Sequence, residues 1–513
     1  MQHPPEAHVV TPWASGDNPP ETMQINPPKL DHVPDTHPLL SMTRRTLLQR
    51  GAFGLGSVAL GSMLGGTAQA TTNNPALPSP HFAPKAKRVI YLMMGGGPSH
   101  VDLFDPKPKM HEYAGKPMPD SLMNTTRLAT TQGQKQFKVL PEQFGYNRCG
   151  KHGVEIGKLL PYTGSIADDI CIVRSAYTEA VNHAPAVTFN LTGSQIPGRP
   201  TMGSWASYGL GTENRDLPSY VVMTSRDKEN SCGQLLYDHY WGSGFLPSEY
   251  QGVRFRGQGD PVLYINDPDG VSREQRGNQI DDINALNHFK HEQVGDPEIK
   301  ARIAQYELAY RMQMSVPELT DLSDETEDTL SLYGPDVHRP GSFARNCLLA
   351  RRLAERGVQF IQCMHAGWDQ HNNLQTQFAI QCKDTDQPSA GLVLDLKRRG
   401  LLDDTLVIWG GEFGRTPFAQ GSSNTGRDHH GNAFSFWMAG GGVRPGTVFG
   451  ESDDFAFNLV DKENQGMHVH DFHAIIQHLM GIDHERLTYR YQGRDFRLTD
   501  VHGEVEKFKE ILL

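Results

Sequence analysis

The sequence predicts one α/β domain built on a doubly wound, mostly parallel sheet with helices on both faces. Strand-like apolar runs alternate with helix-like segments along the chain, and this alternation is typical of βαβ units. Clusters of histidine and acidic residues follow the strand-like runs, where open α/β sheets bind their ligands. The 513 residues, 37% of them hydrophobic, are also enough for a large core.

The first predicted elements have distinct apolar patterns. RVIYLMM (88–94) is a continuous apolar run that enters a glycine-rich loop, which is the pattern of a buried parallel strand. SFARNCLLARRLAERG (342–357) has apolar residues at helical spacing, and GVQFIQCM (357–364) returns to a strand-like run. A polar loop and a helix through residues 392–400 follow, so this region has the order expected of a parallel sheet.

The last predicted elements complete the sheet. TLVIWGG (405–411) is another buried strand, and FSFWMAGGG (434–442) is a further strand candidate. HVHDFHAIIQHLMG (468–481) is predicted as a helix, because its polar front is followed by apolar residues and a glycine ends it. The domain is therefore expected over residues 86–505, with a polar insertion or cap at about 225–340.

The N-terminal segment has the pattern of a twin-arginine export signal. Residues 42–70 contain TRRTLLQR, a short run rich in glycine and alanine, and AQA ending at Ala70. The apolar run is too short and too rich in glycine for a stable membrane span. We therefore expect the twin-arginine translocase to export the chain to the periplasm or the outside of a bacterium, with Met42 as a candidate start. A disordered extension, a linker and a tail are expected at residues 1–41, 71–85 and 506–513.

The composition excludes two kinds of partner or site. A net charge of −11, without a dense Lys/Arg run, leaves no basic face for nucleic acid. The six cysteines have no C-x-x-C spacing, so they predict neither a zinc ribbon nor a disulfide framework.

Polar side chains collect in four clusters, after three of the strand-like runs and at the start of the last helix. A structural role is the more common explanation for a single histidine or aspartate, but four clusters at one sheet edge favour a site. Imidazoles with carboxylates suit zinc, manganese or iron, and two such ions can bind a phosphoryl or sulfuryl group and activate its attacker. Arg415 and Arg427 add guanidinium groups for the anion, although Arg415 could equally anchor its loop.

Six motifs are long enough to compare with known families: GGGPSHVDLFDPKP, NHAPAVTFNLTGSQIPG, GWDQH, WGGEFGRTP, GRDHHG and HDFHAIIQHLMG. Together they resemble the secreted bacterial family catalogued as domain of unknown function 1501, over about residues 86–505. The resemblance implies the three-layer fold of alkaline phosphatases and sulfatases. Enzymes of that superfamily usually use two metals and a nucleophile at a helix N-terminus, and the family itself is often described as sulfatase-like.

The resemblance also implies metal ligands. GRDHHG is similar to the Asp-His motif of alkaline phosphatases, and GWDQH approximates their D-x-x-x-H motif with a shorter spacing. Two aspartates close the first strand of sulfatases, whereas Gly95 and Gly96 stand here, so one metal site is expected to be altered or lost. The metal-ligand candidates are His100, Asp102, Asp369, His371, Glu412, Asp428, His429 and His470.

The nucleophile stays open. His183 occupies the slot of the sulfatase cysteine that becomes formylglycine, which argues against a formylglycine sulfatase. Metal-bound hydroxide ranks first as the attacker, transfer to His183 second, and the hydroxyl of Ser99 third. His183 could also be a metal ligand or a general base.

These observations predict an exported metal-dependent hydrolase of phosphate or sulfate esters, acting on an anionic small-molecule or polysaccharide ester. One or two divalent ions are expected, with zinc, manganese, iron and calcium as the alternatives. The rival hypothesis is a non-catalytic secreted binding or surface-assembly protein that kept the fold and lost the chemistry. The two hypotheses differ in geometry, because an enzyme requires at least three of the candidate ligands to meet at one point.

Overall fold

The computed structural model describes residues 76–123, 134, 136–212, 214–226, 236–257, 261–262, 270–295, 297–420 and 425–513. The predicted N-terminal extension (1–41) and twin-arginine signal (42–70) lie outside the described residues. Among the helices of the described part, none is both long and apolar enough to cross a membrane.

Strands alternate with helices through most of the described chain. The strands are β1 (Arg88–Gly95), β2 (Tyr146–Cys149), β3 (Val154–Gly157), β4 (Ile170–Tyr177), β5 (Tyr220–Arg226), β6 (Val253–Phe255), β7 (Phe360–Ala366), β8 (Thr405–Gly410), β9 (Gly414–Ala419), β10 (Arg427–His430), β11 (Phe434–Ala439), β12 (Thr447–Phe449), β13 (Met467–His468), β14 (Tyr489–Tyr491) and β15 (Arg494–Phe496).

The helices range from one turn to seven turns. They are α1 (His100–Leu103), α2 (Pro108–Glu112), α3 (Asp120–Met123), α4 (Pro161–Ser165), α5 (His183–Thr192), α6 (Met202–Leu210), α7 (Arg273–Val294), α8 (Pro297–Thr320), α9 (Glu327–Tyr333), α10 (Phe343–Glu355), α11 (Leu374–Arg398), α12 (Lys462–Gln465) and α13 (Val469–Leu479). Short 3-10 helices lie at Asp238–Trp241, Ser248–Tyr250, Pro335–His338, Leu402–Asp404 and Glu506–Ile511.

Nine strands of the described residues form one central sheet in the order β12-β4-β11-β8-β1-β7-β5-β6, with β13 paired to β4. The five strands from β8 to β6 run parallel to one another. β11 is antiparallel to both of its neighbours, β8 and β4. The predicted α/β class with a mostly parallel sheet is therefore confirmed.

Alternate residues of β1 point into two separate cores. Ile90 and Leu92 pack into the core that contains α10 and α11, whereas Val89 and Tyr91 pack into the core that contains α6 and α13. A strand that is buried on both faces has no polar face, which explains the continuous apolar run RVIYLMM. Helices thus cover both faces of the sheet, as a doubly wound fold requires.

The polar stretch 225–340 contains the two long helices α7 and α8 and the shorter α9. Ser272 caps α7 by accepting a hydrogen bond from the backbone N–H of Gln275, whose side chain accepts from the Ser272 N–H in return. That this stretch is an insertion that caps the domain stays a prediction.

Candidate metal centre

The site lies where the parallel strands β1, β7 and β8 end, because their carboxyl ends share one edge of the sheet. Asp369 and His371 follow β7, and Glu412 follows β8. β10 brings His429 opposite Arg415 of β9, in an antiparallel pair. The segments that follow β7 and β8 and the strand β10 therefore converge on this edge.

The helix α5 supplies a further histidine to the same edge. His183 is the first residue of α5, and the helix is held on the sheet by a 2.8 Å hydrogen bond from the Tyr91 hydroxyl to Asn190 Oδ1. Val187 and Leu191 of the same helix are buried in the core beneath it. The packing of α5 from Ala186 onward therefore sets the position of His183 at its start.

Gly96 explains why the first strand ends in glycines. Its φ is +117°, and an added Cβ would lie 2.7 Å from the backbone nitrogen of Asp369. Both the left-handed φ and the close approach exclude a larger residue. The glycine lets the loop that carries Asp369 pass directly over the end of β1.

Four side chains meet at this edge and form the cluster His183, Asp369, His371 and His429, whose ligand atoms all lie within 4.8 Å of one another. The Nε2 atoms of the three histidines lie 3.1 Å (His183), 2.9 Å (His371) and 3.4 Å (His429) from Asp369 Oδ1. The side chains of Asp369 and His371 are 24% and 29% exposed, so the cluster can be reached from solvent.

Each histidine of the cluster has its other ring nitrogen on an acceptor. His183 Nδ1 lies 2.7 Å from Glu412 Oε1, and His429 Nδ1 lies 3.0 Å from the Val181 carbonyl oxygen. The partner of His371 Nδ1 is the Gln420 side-chain oxygen. Each of these three oxygens can accept a hydrogen bond from an Nδ1–H, and in that tautomer each Nε2 is available to bind a metal ion at the cluster.

Three imidazole nitrogens and a carboxylate oxygen that face one another form a donor set that could hold a cation. His371 Nε2 and His429 Nε2 are only 3.0 Å apart, and His183 Nε2 is buried without a hydrogen-bond partner of acceptable geometry. Three imidazole nitrogens and one carboxylate oxygen are the donor set that zinc and iron prefer, whereas calcium prefers oxygen ligands. The residues present therefore fit a transition-metal ion better than calcium.

The charges at the cluster shift the pKa values of its members. Burial alone would lower the pKa of His183, but the carboxylates of Asp369 and Glu412 outweigh it and raise the pKa to about 9. Burial would raise the pKa of Asp369, yet its contacts with the three histidines and the Arg415 charge lower that pKa far below its usual range. Burial and the Arg415 charge lower the pKa of His429.

Glu412 was expected among the metal ligands, but it lies behind His183 and outside the four-residue cluster. It is fully buried, and its two oxygens accept the Gly96 N–H at 3.0 and 3.2 Å. Its Oε1 also accepts a hydrogen bond from His183 Nδ1. Glu412 therefore orients the His183 ring and raises its basicity, as carboxylates behind metal-binding histidines do.

Arg415 lies beside the cluster, and its donors are used within the protein. Its Nε donates to the Gly97 carbonyl at 2.9 Å, and its Nη1 donates to the Arg427 carbonyl at 3.2 Å. Its Nη2 donates to Asp369 Oδ1 at 2.6 Å and to the carbonyls of Trp368 and Gly96. The guanidinium therefore positions Asp369 and anchors the loop, which was the alternative to its expected role on the anion.

Arg427 and Asp102 form a buried ion pair away from the cluster. Arg427 Nε donates to Asp102 Oδ2 at 2.8 Å, and the rest of its guanidinium is held by the Leu140 and Pro141 carbonyls. Ser99, expected as a possible nucleophile, donates its hydroxyl to the same Asp102 oxygen at 2.5 Å and is buried. These three residues, predicted respectively to bind the anion, bind a metal and attack, instead hold the loops around β1 together.

The remaining candidates also have other partners. His100 lies with Nε2 on the Ala456 carbonyl at 3.0 Å and Nδ1 on the Arg415 N–H at 3.4 Å. His470 bonds the Gly193 carbonyl at the far end of α5 and stacks on His502. Neither joins the cluster, because both rings are engaged elsewhere.

Asp428 lies behind the four-residue cluster. Its Oδ1 is 3.9 Å from His371 Nδ1 and 2.8 Å from the backbone nitrogen of His429, which donates to it.

Glu412 was a candidate in the sequence, but the other two acceptors that hold the cluster histidines, Val181 and Gln420, were not. Val181 acts through its carbonyl oxygen, which every residue has, so no sequence signal could identify it. Gln420 lies three residues past the WGGEFGRTP motif, and only its position opposite His371 gives it a role.

The comparisons with known proteins identify a family and distant structural neighbours. A family model described as "Protein of unknown function (DUF1501)" matches residues 86–508, which confirms the resemblance seen in the motifs. No curated protein matches the sequence.

Solved structures that match include an alkaline phosphatase from the Antarctic bacterium TAB5, with 12% identity, 70% of this chain and 92% of that chain covered, and a TM-score of 0.27. The PsFucS1 sulfatase from Pseudoalteromonas sp. matches with 12% identity, coverage of 74% and 73%, and a TM-score of 0.31. The lipoteichoic acid synthase LtaP from Listeria monocytogenes matches with 8% identity, coverage of 86% and 80%, and a TM-score of 0.33.

Proposed function

Because the chain belongs to the DUF1501 family, whose description gives no function, we infer its function from its site and propose an exported metal-dependent hydrolase of phosphate or sulfate esters. The observation that carries this proposal is the convergence of three Nε2 atoms on Asp369 Oδ1, with every Nδ1 beside an acceptor oxygen. At least three candidate ligands therefore meet at one point, as the enzyme hypothesis requires.

A divalent ion at this cluster would supply Lewis acidity toward an ester oxygen and activate water at neutral pH. His183, His371, His429 and Asp369 would hold it, and Glu412 would keep the His183 ring in the ligating tautomer. Arg415 holds Asp369 in place at 2.6 Å. The protein thus presents a preformed set of ligands.

The N-terminus of α5 supports binding of an anion next to the cluster. His183 begins this ten-residue helix, and the side chain of the preceding Asn182 makes no capping hydrogen bond. The positive end of the helix dipole therefore faces the same edge of the sheet as the cluster, where a negatively charged substrate oxygen is stabilised.

The contacts of the candidate attackers favour activated water. Ser99 is buried, and its hydroxyl donates a hydrogen bond to Asp102. His183 has Nδ1 on Glu412 and Nε2 at the cluster, so neither ring nitrogen is left to attack an ester while it serves as a ligand. Water in the cluster, which needs no side-chain nucleophile, is the attacker we propose.

Metal content separates this proposal from a non-catalytic binding protein. Elemental mass spectrometry of the purified protein should find near-stoichiometric zinc, iron or manganese, which an Asp369→Ala variant loses and a His470→Ala control keeps. Hydrolysis of p-nitrophenyl phosphate or p-nitrophenyl sulfate should follow the metal. Metal-loaded protein that cleaves none of a broad panel of phosphate and sulfate esters would favour the binding protein.

Export by the twin-arginine route is part of the same proposal, supported by the TRRTLLQR sequence. An Arg44→Lys/Arg45→Lys variant expressed in a bacterium should accumulate in the cytoplasm, whereas the wild-type chain should appear in the periplasm or medium. Equal distribution of the two chains would contradict this route.

A further inference from the structure

A phenylalanine beside the cluster packs against two of its histidine rings. Phe413 follows Glu412 in the chain, and its ring centroid lies 5.0 Å from that of His183 and 4.8 Å from that of His429. The two imidazole rings are themselves 4.3 Å apart, at an interplanar angle of 73°. Phe413 therefore contacts both imidazoles and forms an apolar wall on one side of them.

The Phe413 ring is itself held in place by its surroundings. Its side chain is buried, with 1% exposure, in a small apolar cluster whose other members are Ala180, Ala186, Phe189 and Val469. These residues come from the segment before α5, from α5 and from the start of α13. Packing from three parts of the chain therefore leaves the ring little freedom to move.

The last glycine of the loop after β1 makes room for this ring. Gly97 has a φ of +72°, and an added Cβ would lie 2.7 Å from Cδ2 and Cε2 of Phe413. A larger residue at this position would therefore push the ring out of its place. The Arg415 guanidinium, whose Nε donates to the Gly97 carbonyl at 2.9 Å, lies 6.0 Å from the ring centroid. The loop and Arg415 thus hold the ring from another side.

This apolar wall limits how the two imidazoles can turn. A hydrogen bond at Nδ1, such as the 2.7 Å contact of His183 with Glu412, fixes one atom of the ring and lets the ring pivot about it. The packed Phe413 ring blocks a pivot toward the wall, because a close-packed interior resists displacement. The Nε2 atoms of His183 and His429 are therefore kept at 3.1 and 3.4 Å from Asp369 Oδ1.

Closely spaced imidazoles that cannot turn favour a small, four-coordinate ion. Zinc takes nitrogen ligands in a tetrahedron, whereas manganese(II) prefers six ligands, mostly oxygen, and needs the imidazoles to spread so that water can enter. We propose that Phe413 is a positioning residue of the metal centre, which by holding His183 and His429 makes the site select zinc over manganese(II). The inference rests on the proposed function, since it requires a metal ion at the cluster.

The test measures the dissociation constants of zinc and manganese(II) by competition with a chromogenic chelator. Phe413→Met and Phe413→Leu keep an apolar side chain and remove the flat ring. An aromatic contact is worth roughly two- to tenfold in an equilibrium constant, so losing two should lower the manganese-to-zinc ratio of dissociation constants at least fivefold. Cobalt(II) in place of zinc should show the strong visible absorption of a tetrahedral site in the wild type and a weaker one in both variants.

Phe449→Leu is the matched control, because Phe449 is a buried phenylalanine of β12 whose ring contacts Phe508, at 5.5 Å, and no cluster residue. Urea unfolding of the metal-free proteins should show similar losses of stability in Phe449→Leu and Phe413→Leu, since each removes one buried ring. The manganese-to-zinc ratio of the control should stay within twofold of wild type. A change of ratio confined to the Phe413 variants is therefore not an effect of stability.

Two outcomes would overturn the inference and leave the proposed function standing. One is a manganese-to-zinc ratio within twofold of wild type in both Phe413 variants, and the other is an equal fall of the ratio in Phe449→Leu. Wild-type protein that binds none of zinc, manganese(II) and cobalt(II) would instead overturn the proposed function.

Discussion

Glu412→Gln is the substitution that tests the metal centre most directly. Glutamine keeps the size of the side chain and an oxygen for the His183 Nδ1 proton, but it removes the negative charge and presents an amide to the Gly96 N–H. We expect the ligands to remain in place and the metal to bind more weakly, because the His183 ring loses the carboxylate that raises its basicity.

The magnitude follows from the separation of the charges. Glu412 lies 2.7 Å from one side of the His183 ring, and Asp369 lies 3.1 Å from the other side. At an effective dielectric constant of about 20, a carboxylate roughly 6 Å from a doubly charged ion has a Coulomb energy of about 5 kcal/mol, which is an upper limit because the buried charge also costs desolvation free energy. Removing a carboxylate behind a metal-binding histidine usually lowers the metal affinity about 10- to 100-fold, or about 1.4 to 2.8 kcal/mol, and this is the loss we expect.

The assay is competition with a chromogenic chelator at pH 7.5, which gives the metal dissociation constant of each variant. Asp395→Asn is the matched control, since Asp395 is a buried carboxylate that pairs with Arg351 and Arg399 behind the sheet. It should lower stability and leave the metal affinity unchanged. A Glu412→Gln dissociation constant within twofold of wild type would refute the tautomer argument for His183.

Three further predictions concern the ligands and the structural residues around them. His371→Ala should abolish stoichiometric metal binding and His470→Ala should not, as measured by elemental analysis; loss of metal in both would point to a second ligand set. Because the carboxylates raise the pKa of His183 to about 9, metal uptake below that pH must release its proton, so the apparent metal affinity should rise by about tenfold per pH unit up to pH 9 and level off above it. A flat profile from pH 6 to 9 would contradict this. Asp102→Ala leaves the Arg427 charge buried without its partner and should cost about 3 to 5 kcal/mol in urea unfolding, with the metal content of the folded protein unchanged.

The sheet could be predicted from the sequence because its strands are buried on both faces. RVIYLMM, GVQFIQCM and TLVIWGG are continuous apolar runs, and the structure has β1, β7 and β8 at these positions as parallel neighbours. The direction of the FSFWMAGGG strand in the sheet could not be predicted, since an apolar run is expected of both a parallel and an antiparallel buried strand. Its antiparallel pairing with β8 follows from the connection through β9 and β10.

The candidate site was predictable in location and only partly in membership. Asp369, His371 and His429 were expected from their place after the strands, and they meet in the cluster. Asp102 and His100 have the same residue types and a similar place after β1. What separates the two groups is the partner of each side chain: Asp102 meets Arg427, 325 residues later in the chain.

This difference in partners explains why the residue type alone is a weak guide to a metal ligand. The partner of each histidine ring nitrogen is a stronger guide. A histidine whose ring nitrogen bonds a carbonyl can be purely structural, as His470 is at the end of α5. The cluster differs because three rings each bond an acceptor through Nδ1 and direct Nε2 to one point. Such an arrangement concentrates several polar groups at one partly buried point, where they need partners. A metal ion bound there would therefore also stabilise the edge of the sheet where the proposed chemistry takes place.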